Sequence, residues 1–316
     1  MRFVDWMEAC LYDEEGYYMR PGRKTGAGDD ADFATSPTLN PFLGRCVADE
    51  IVQAWEERGR PEDFAVYEFG GGEGDLARAA LARWRETGHG FRWHHIERSP
   101  THRAAQDDGS TAALDALPVD ARGVVVAHEF VDALPFHWLE RTTDGWAEVA
   151  VDVTGDRFVE CLMPTEADPD LDAPSGQRVA FMERARTWLN QVAFAGDVLV
   201  IDYGDRDVWR RSPDGTVRTF QKQQEAGSPL EEPGAKDITA SVDFRALDSW
   251  AAQARLGVAV AESQESFLLR HGVLEALNAI DRTTTDGASA YLRLRQMLLP
   301  TGMGTAFQVR RYKRSD

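Results

Sequence analysis

The chain predicts an α/β fold: a Rossmann-like sheet of mostly parallel strands, preceded by a helical cap and interrupted by inserted antiparallel and helical segments. Three observations carry that expectation. From residue 64 onward, short apolar runs alternate with amphipathic stretches, as strands joined by crossover helices do. The first apolar run, "FAVYEF", passes into the glycine-rich turn "EFGGGEG" and then into a helical pattern beginning at Asp75. Successive apolar runs end in an acid, at the strand ends where open α/β sheets bind their ligands.

Residues 1–60 read as the cap: a loop rich in Gly and Asp, "RPGRKTGAGDDADFATSP", then a helix over "FLGRCVADEIVQAWEERG". The core follows as one structural unit over 61–316. Strand "FAVYEF" leads to the helix from Asp75, strand "FRWHHIE" to a loop and helix from Ser99, and strand "GVVVAHEF" comes next. "FHWLERT", "WAEVAVDV" and "RFVECLM", separated by Thr-Thr-Asp-Gly and Thr-Gly-Asp, predict an antiparallel meander. A helix over residues 178–194 should return to a buried strand, "GDVLVIDYG". Residues 205–240, polar and rich in Gly, Pro and Gln, read as an insertion or lid, after which "SVDFRALDSWAAQA", "GVAVAES" and "GTAFQVRRYKR" resume helix and strand.

Composition narrows the function. At 316 residues, 43% apolar and 28% charged, the chain has ample material for a core, and its net charge of -18 argues against a nucleic-acid partner. The cysteines Cys10, Cys46 and Cys161 lie far apart, with no C-x-x-C and no paired histidines, so neither a disulfide framework nor a metal site is expected. No window approaches the ~20 apolar residues of a membrane span, and the N-terminal stretch "MRFVDWMEACLYDEEGYY" carries early acids. A cytoplasmic protein that meets neither membrane nor nucleic acid is expected; a homodimer is left open.

The glycine turn discriminates among ligands. A dinucleotide fingerprint counted from Gly70 and Gly72 would place Asp75 at its third glycine, where a carboxylate repels pyrophosphate. A P-loop needs Lys and Ser or Thr after its last glycine, and here Asp75 and Leu76 follow Gly74. What remains is E-x-G-x-G-x-G, with Glu68, Gly70, Gly72 and Gly74, which suits S-adenosylmethionine: a cationic sulfonium and ammonium and no phosphate. An ordinary strand-to-helix loop would read similarly. Glu97 ends the second strand 23 residues after Gly74, the spacing of an acid that binds ribose hydroxyls. His128, Glu129 and Asp132 follow the third strand, and Asp202 and Tyr203 end a later one. No G-x-S-x-G elbow supports a hydrolase. His94 and His95 share a strand, so at most one faces a cleft, and both read as core or surface residues.

These residues resemble one family, the MidA-like class I methyltransferases, whose mitochondrial members are respiratory complex I assembly factors that methylate arginine on a subunit of that complex. The likeness runs through "GYY", "DFATSP", "EFGGGEG", "IERSP" with Gln106 after it, "HEFVDALPF", "IDYG", "DGTVRTF", "PGAKDITASVDF", "SQESFL" and "MGTAFQV" in order, nearly the whole chain. The resemblance implies S-adenosyl-L-methionine as cofactor, in a pocket lined by Glu68, Gly70, Gly72, Gly74, Glu97, Asp115 and Ala116. It implies that Thr35, Ser36 and Pro37 close over that pocket and that Glu129 and Asp132 face the transferring methyl. Tyr18, Asp202, Tyr203, Gln223 and Ser241 are assigned to the acceptor side. Three positions depart from the family pattern: His128 replaces Asn, and Gln223 and Ser241 each replace His. The expectation is therefore an intact cofactor site with a changed acceptor, a small molecule with an N or O nucleophile for which His128 serves as a base titrating near neutral pH. The alternatives are a protein arginine acceptor, as in the mitochondrial members, and a non-catalytic cofactor-binding assembly factor.

Overall fold

A computed structural model describes residues 1–20, 35–106, 111–222, 224–299 and 303–315. The chain begins with helices α1 (Phe3–Tyr12), α2 (Ser36–Leu39) and α3 (Phe42–Glu57). Then come β1 (Ala65–Phe69), α4 (Asp75–Thr87), β2 (Arg92–Ile96), α5 (Pro100–Gln106), β3 (Ala112–Leu114) and β4 (Gly123–His128). A meander follows, β5 (His137–Thr142), β6 (Gly145–Thr154), β7 (Arg157–Pro164) and β8 (Arg178–Phe181), before α6 (Glu183–Val192) and β9 (Gly196–Asp205). The short strands β10 (Val217–Gln221), β11 (Gln224–Glu225), β12 (Asp237–Ala240) and β13 (Val242–Asp243) precede α7 (Phe244–Gln253) and β14 (Leu256–Ser263). Helices α8 (Gln264–Arg270), α9 (Val273–Ala279) and α10 (Thr285–Gln296) lead to β15 (Phe307–Arg314).

The main sheet runs β14-β15-β9-β4-β1-β2-β3, with β13 added beside the end of β9. Strands β3, β2, β1, β4 and β9 are parallel, whereas β15 is antiparallel to β9 and β14 to β15. The connections after β1 and after β3 place strands on opposite sides of β1, so a crevice opens beyond the carboxyl ends of β1 and β4. All six residues of β4 are buried because both faces of the sheet are covered. The period of two sorts its side chains: Val124 and Val126 enter one core with Leu199 and Ile201, while Val125 and Ala127 enter the other with Val198 and Val200. Each such side chain contributes roughly 1.5–3 kcal/mol on burial.

The first core is covered by α1, α6, α7 and the four-stranded sheet β7-β6-β5-β8, the second by α3, α4 and α8 to α10. The first 60 residues therefore do not form one layer. The helix α1, which the sequence reading did not anticipate, packs on β5 and β6, with Phe3 edge-on to Trp138 at 5.0 Å; α3 packs on α4 across the sheet. A second difference lies at 178–194. Residues 178–181 form β8, antiparallel to β5, and the helix starts only at Glu183, because Met182 at φ -86 and ψ 57 breaks the helical path. The segment 205–240 contributes the three-stranded sheet β11-β10-β12.

At the amino end of β9, remote from the crevice, Arg311 bridges three carboxylates. Its Nε lies 2.8 Å from Glu50, Nη2 2.9 Å from Glu57 and Nη1 3.0 Å from Asp197, with Arg311, Glu50 and Asp197 all buried. The Arg311 hydrogen bond, opposed by desolvation, holds Glu57 down to about 2. A depressed carboxylate adds stability above its unfolded pKa that disappears as pH falls toward the folded one. Arg311→Leu should lower unfolding free energy by roughly 3–5 kcal/mol in denaturant titrations at pH 7, since it strands buried charges. The difference from the parent should shrink as pH is lowered from 4.5 toward 2. A change below 1 kcal/mol at pH 7 would show that the cluster is not a keystone.

Candidate active site

The cavity at the carboxyl ends of β1, β2, β4 and β9 has a volume of about 580 Å³, within the range of small-molecule sites. One side is built from the glycine turn. Gly70, Gly72 and Gly74 all have positive φ (66°, 54° and 82°), a backbone that other residues rarely adopt, and this folds the turn tightly between β1 and α4. Gly71 between them is constrained differently: a Cβ there would sit 2.6 Å from His95 Nδ1 and 2.9 Å from the Glu68 carboxylate. The alternate-glycine pattern passed over Gly71, although four glycines in five positions signalled it.

Gly70 and Gly72 line the cavity, and Gln106 Nε2 donates to the Gly72 carbonyl at 2.7 Å. Gly74 does not line it; it is the left-handed N-cap of α4. Glu68 lines the cavity while Trp93 Nε1 donates to its Oε2 at 2.9 Å and His95 Nδ1 lies 3.1 Å from the same atom. His95 is thus a core residue supporting the turn, and His94 stacks on Tyr67 at 5.4 Å. Glu97 also lines the cavity, accepting from the Ser99 amide at 2.9 Å.

Thr35 and Pro37 line the cavity, together with Thr38. Ser36 does not: its hydroxyl is buried, donating to Gln264 Oε1 at 3.1 Å, while its amide serves the Glu129 carboxylate. Asp115 and Ala116 stand outside the cavity. Strand β3 ends at Leu114, the chain turns to solvent, and Asp115 pairs with Arg103 at 2.7 Å. The cofactor side therefore presents carboxylates (Glu68, Glu73, Asp75 and Glu97) and exposed backbone. That set suits ribose hydroxyls and cationic ammonium or sulfonium centres and repels phosphate.

The other side is built from the ends of β4 and β9 and from the small sheet. His128 closes β4, and Glu129 follows at φ +48, a left-handed backbone that costs a non-glycine residue about 1–2 kcal/mol. Asp202 compensates from beneath. It is fully buried, accepts from the amides of Val131 (3.0 Å), Asp132 (3.3 Å) and Tyr203 (2.9 Å), and does not line the cavity as expected of an acceptor-side residue. Glu129, Asp132, Tyr203, Ser241 and Tyr18 do line it, and Tyr18 donates to Asp237 Oδ1 at 2.8 Å. Gln223 lies outside the described residues. The sequence reading missed Tyr12, Arg218, Phe220, Asp237 and Thr239, which complete this wall; the last four stand inside "DGTVRTF" and "PGAKDITASVDF", two of the stretches that carry the family resemblance.

Burial governs the charges. It drives His128 down to about 3, so the ring is neutral near pH 7 and does not titrate where a base acting near neutrality must. Its face stacks on Phe307 at 6.4 Å, and its Nε2 lies 3.4 Å from Glu129. Burial raises Glu129 well above the usual carboxylate range, reinforced by Asp132 and Asp237, and lifts Asp132 to about 6. Among the described residues neither Glu129 nor Asp132 has an arginine or lysine within ion-pair distance. The arrangement can hold a cationic group and take up a proton from it.

Comparison with known proteins gives a consistent picture. A family model described as S-adenosyl-L-methionine-dependent methyltransferase matches residues 46–261. The mitochondrial protein arginine methyltransferase NDUFAF7 homolog of Drosophila melanogaster is 29% identical over 285 residues, covering 75% of this chain and 63% of that protein. The chain thus spans less than two thirds of that relative. The Danio rerio protein arginine methyltransferase NDUFAF7 is 28% identical over 352 residues, covering 95% of this chain and 80% of its own length. A Burkholderia thailandensis protein solved with bound S-adenosyl-homocysteine superposes with TM-score 0.91 at 28% identity, covering 99% of this chain and 88% of that one. A native structure from the same organism gives 0.87 at 26% identity, with coverage of 99% and 87%.

Two substitutions test the cofactor side. Gly71→Ala forces a methyl against His95 and Glu68 and should weaken S-adenosyl-homocysteine about tenfold, since overpacking costs ~1–3 kcal/mol. Glu97→Ala removes a charged hydrogen bond and should weaken it roughly ten- to a hundredfold. Calorimetric titration of both folded variants is the measurement, and unchanged affinity in either would remove that residue from the cofactor site.

Proposed function

Because the chain belongs to the MidA-like family of S-adenosyl-L-methionine-dependent methyltransferases, we propose that it transfers a methyl group to a guanidinium nitrogen of an arginine side chain. The observation that carries this reading is the pair of carboxylates facing one cavity, Asp132 buried and Glu129 half-buried, with no arginine or lysine within ion-pair distance of either among the described residues. Buried carboxylates are costly unless a cation or a proton arrives, and a planar guanidinium satisfies two at once through forked hydrogen bonds. The mitochondrial relatives, which are named protein arginine methyltransferases, support the same acceptor chemistry.

The cofactor, when bound, supplies a methyl carbon activated by its sulfonium. Glu68, the glycine turn and Glu97 hold and orient it. Glu129 and Asp132 align the acceptor nitrogen, concentrate its electron density away from resonance, and accept the proton released as the N–C bond forms and the C–S bond breaks. Alignment at near-attack distance lowers the barrier to such a displacement. The neutral His128 ring contributes shape and a stacking surface, so the small-molecule reading that rested on a histidine base loses its support.

Glu129→Gln and Asp132→Asn should each reduce turnover of an arginine peptide at least about a hundredfold, the scale of a lost proton acceptor. S-adenosyl-homocysteine affinity should stay within about threefold. Since both carboxyls must be ionised to act and burial raises both, Asp132 to about 6 and Glu129 well above the usual carboxylate range, kcat/KM should rise with pH through about 6 and continue to rise above it, and His128→Asn should leave the profile in place. A rising limb abolished by His128→Asn would restore the imidazole base. Failure of every arginine substrate to generate S-adenosyl-homocysteine would remove the arginine acceptor.

A further inference from the structure

Four arginines line the cavity: Arg98, Arg184, Arg211 and Arg218. Three are committed to carboxylates. Arg98 pairs with Glu8 at 3.0 Å, Arg184 pairs with the same glutamate, and Arg211 pairs with Asp205 at 2.8 Å. Arg218 differs. Among the described residues no carboxylate lies within ion-pair distance of it; its Nη2 makes one long bond to the Ser241 hydroxyl, 3.3 Å, and its Nε is buried without a hydrogen-bond partner. The guanidinium is held in place over the Tyr203 ring at 5.0 Å and the Phe220 ring at 5.8 Å, on a strand fixed by pairing with β12.

A guanidinium has five donors in a rigid fork, and buried donors left unmatched are costly. The group that satisfies the fork is a carboxylate. An anion alone would be repelled by Glu129 and Asp132, and a cation alone would leave Arg218 unmatched; a ligand carrying both charges meets both walls. We infer that the acceptor carries a carboxylate close to the guanidinium it presents for methylation, and that Arg218 recognises that carboxylate. This rests on the guanidinium reading above. The carboxylate can be the main-chain group of a free amino acid or the side chain of an acidic residue beside arginine in a peptide.

The test uses the 316-residue protein saturated with S-adenosyl-homocysteine and titrated by calorimetry with four probes: agmatine, L-arginine, an end-blocked Gly-Arg-Gly tripeptide and an end-blocked Asp-Arg-Gly tripeptide. At least one carboxylate-bearing probe should bind about tenfold or more tighter than its carboxylate-free counterpart. L-arginine over agmatine would identify the main-chain carboxylate, and Asp-Arg-Gly over Gly-Arg-Gly the acidic neighbour. Arg218→Gln should erase that preference, Arg218→Lys should restore part of it, and the affinity of both variants for S-adenosyl-homocysteine should match the parent. Equal binding within both pairs, or an equal loss on all four probes in Arg218→Gln, would overturn the inference while leaving the guanidinium reading intact. A parallel fall in S-adenosyl-homocysteine affinity would overturn it by assigning Arg218 to the cofactor's own carboxylate. Binding of none of the four probes would overturn the inference together with the guanidinium acceptor.

Discussion

The site depends on one buried carboxylate. Asp202, at the end of β9, gathers the amides of Val131, Asp132 and Tyr203 and so fixes the turn that leaves β4. That turn carries Glu129 in a left-handed backbone and sends Phe130 against the glycine turn, where a Cβ at Gly70 would meet its ring at 2.9 Å. It also offers the Asp132 carbonyl to the Ala240 amide at 3.2 Å, tying in the small sheet. The cofactor side, the acceptor wall and the inserted strands therefore share one anchor. A strained residue at a ligand cavity persists only where its surroundings over-determine it, and here they do.

Charge is treated oppositely at the two ends of β9. At its amino end Asp197 is neutralised by Arg311 and Arg58, and the cluster is closed. At its carboxyl end Asp202 relies on amide dipoles, and the neighbouring carboxylates face a cavity. Desolvation raises the proton affinity of Glu129 and Asp132, reinforced at Glu129 by the neighbouring carboxylates and only partly offset at Asp132 by the Arg218 charge. One end is built to be stable alone and the other to be completed by a ligand.

The cavity wall opposite the glycine turn is assembled from segments far apart in the chain. Tyr18 from the N-terminal region bonds Asp237 on β12, and Arg218 on β10 leans on Tyr203 from β9. Strands β10 and β12 thus line the cavity through Arg218, Phe220, Asp237 and Thr239.

The alternation of apolar runs with amphipathic stretches, the glycine turn and the acids at strand ends were legible locally, because strand period, positive φ and strand-end position are properties of a few consecutive residues. Glu68, Gly70, Gly72, Glu97, Glu129 and Asp132 were found that way, and all six line the cavity. Helix α1 escaped because its apolar face has meaning only against β5 and β6, and β8 escaped because four residues become a strand only beside β5. Gly74, Ser36 and Asp202 belong to the quoted motifs but not to the cavity, and Asp115 and Ala116 stand on a stretch that turns to solvent, since a run of residues does not say which of them face a cavity. His128 shows the sharpest division: the sequence determined that an imidazole stands beside Glu129, and only the tertiary structure decided that it is neutral. Proton affinity depends on how much water and charge surround a group, and those neighbours come from every part of the chain.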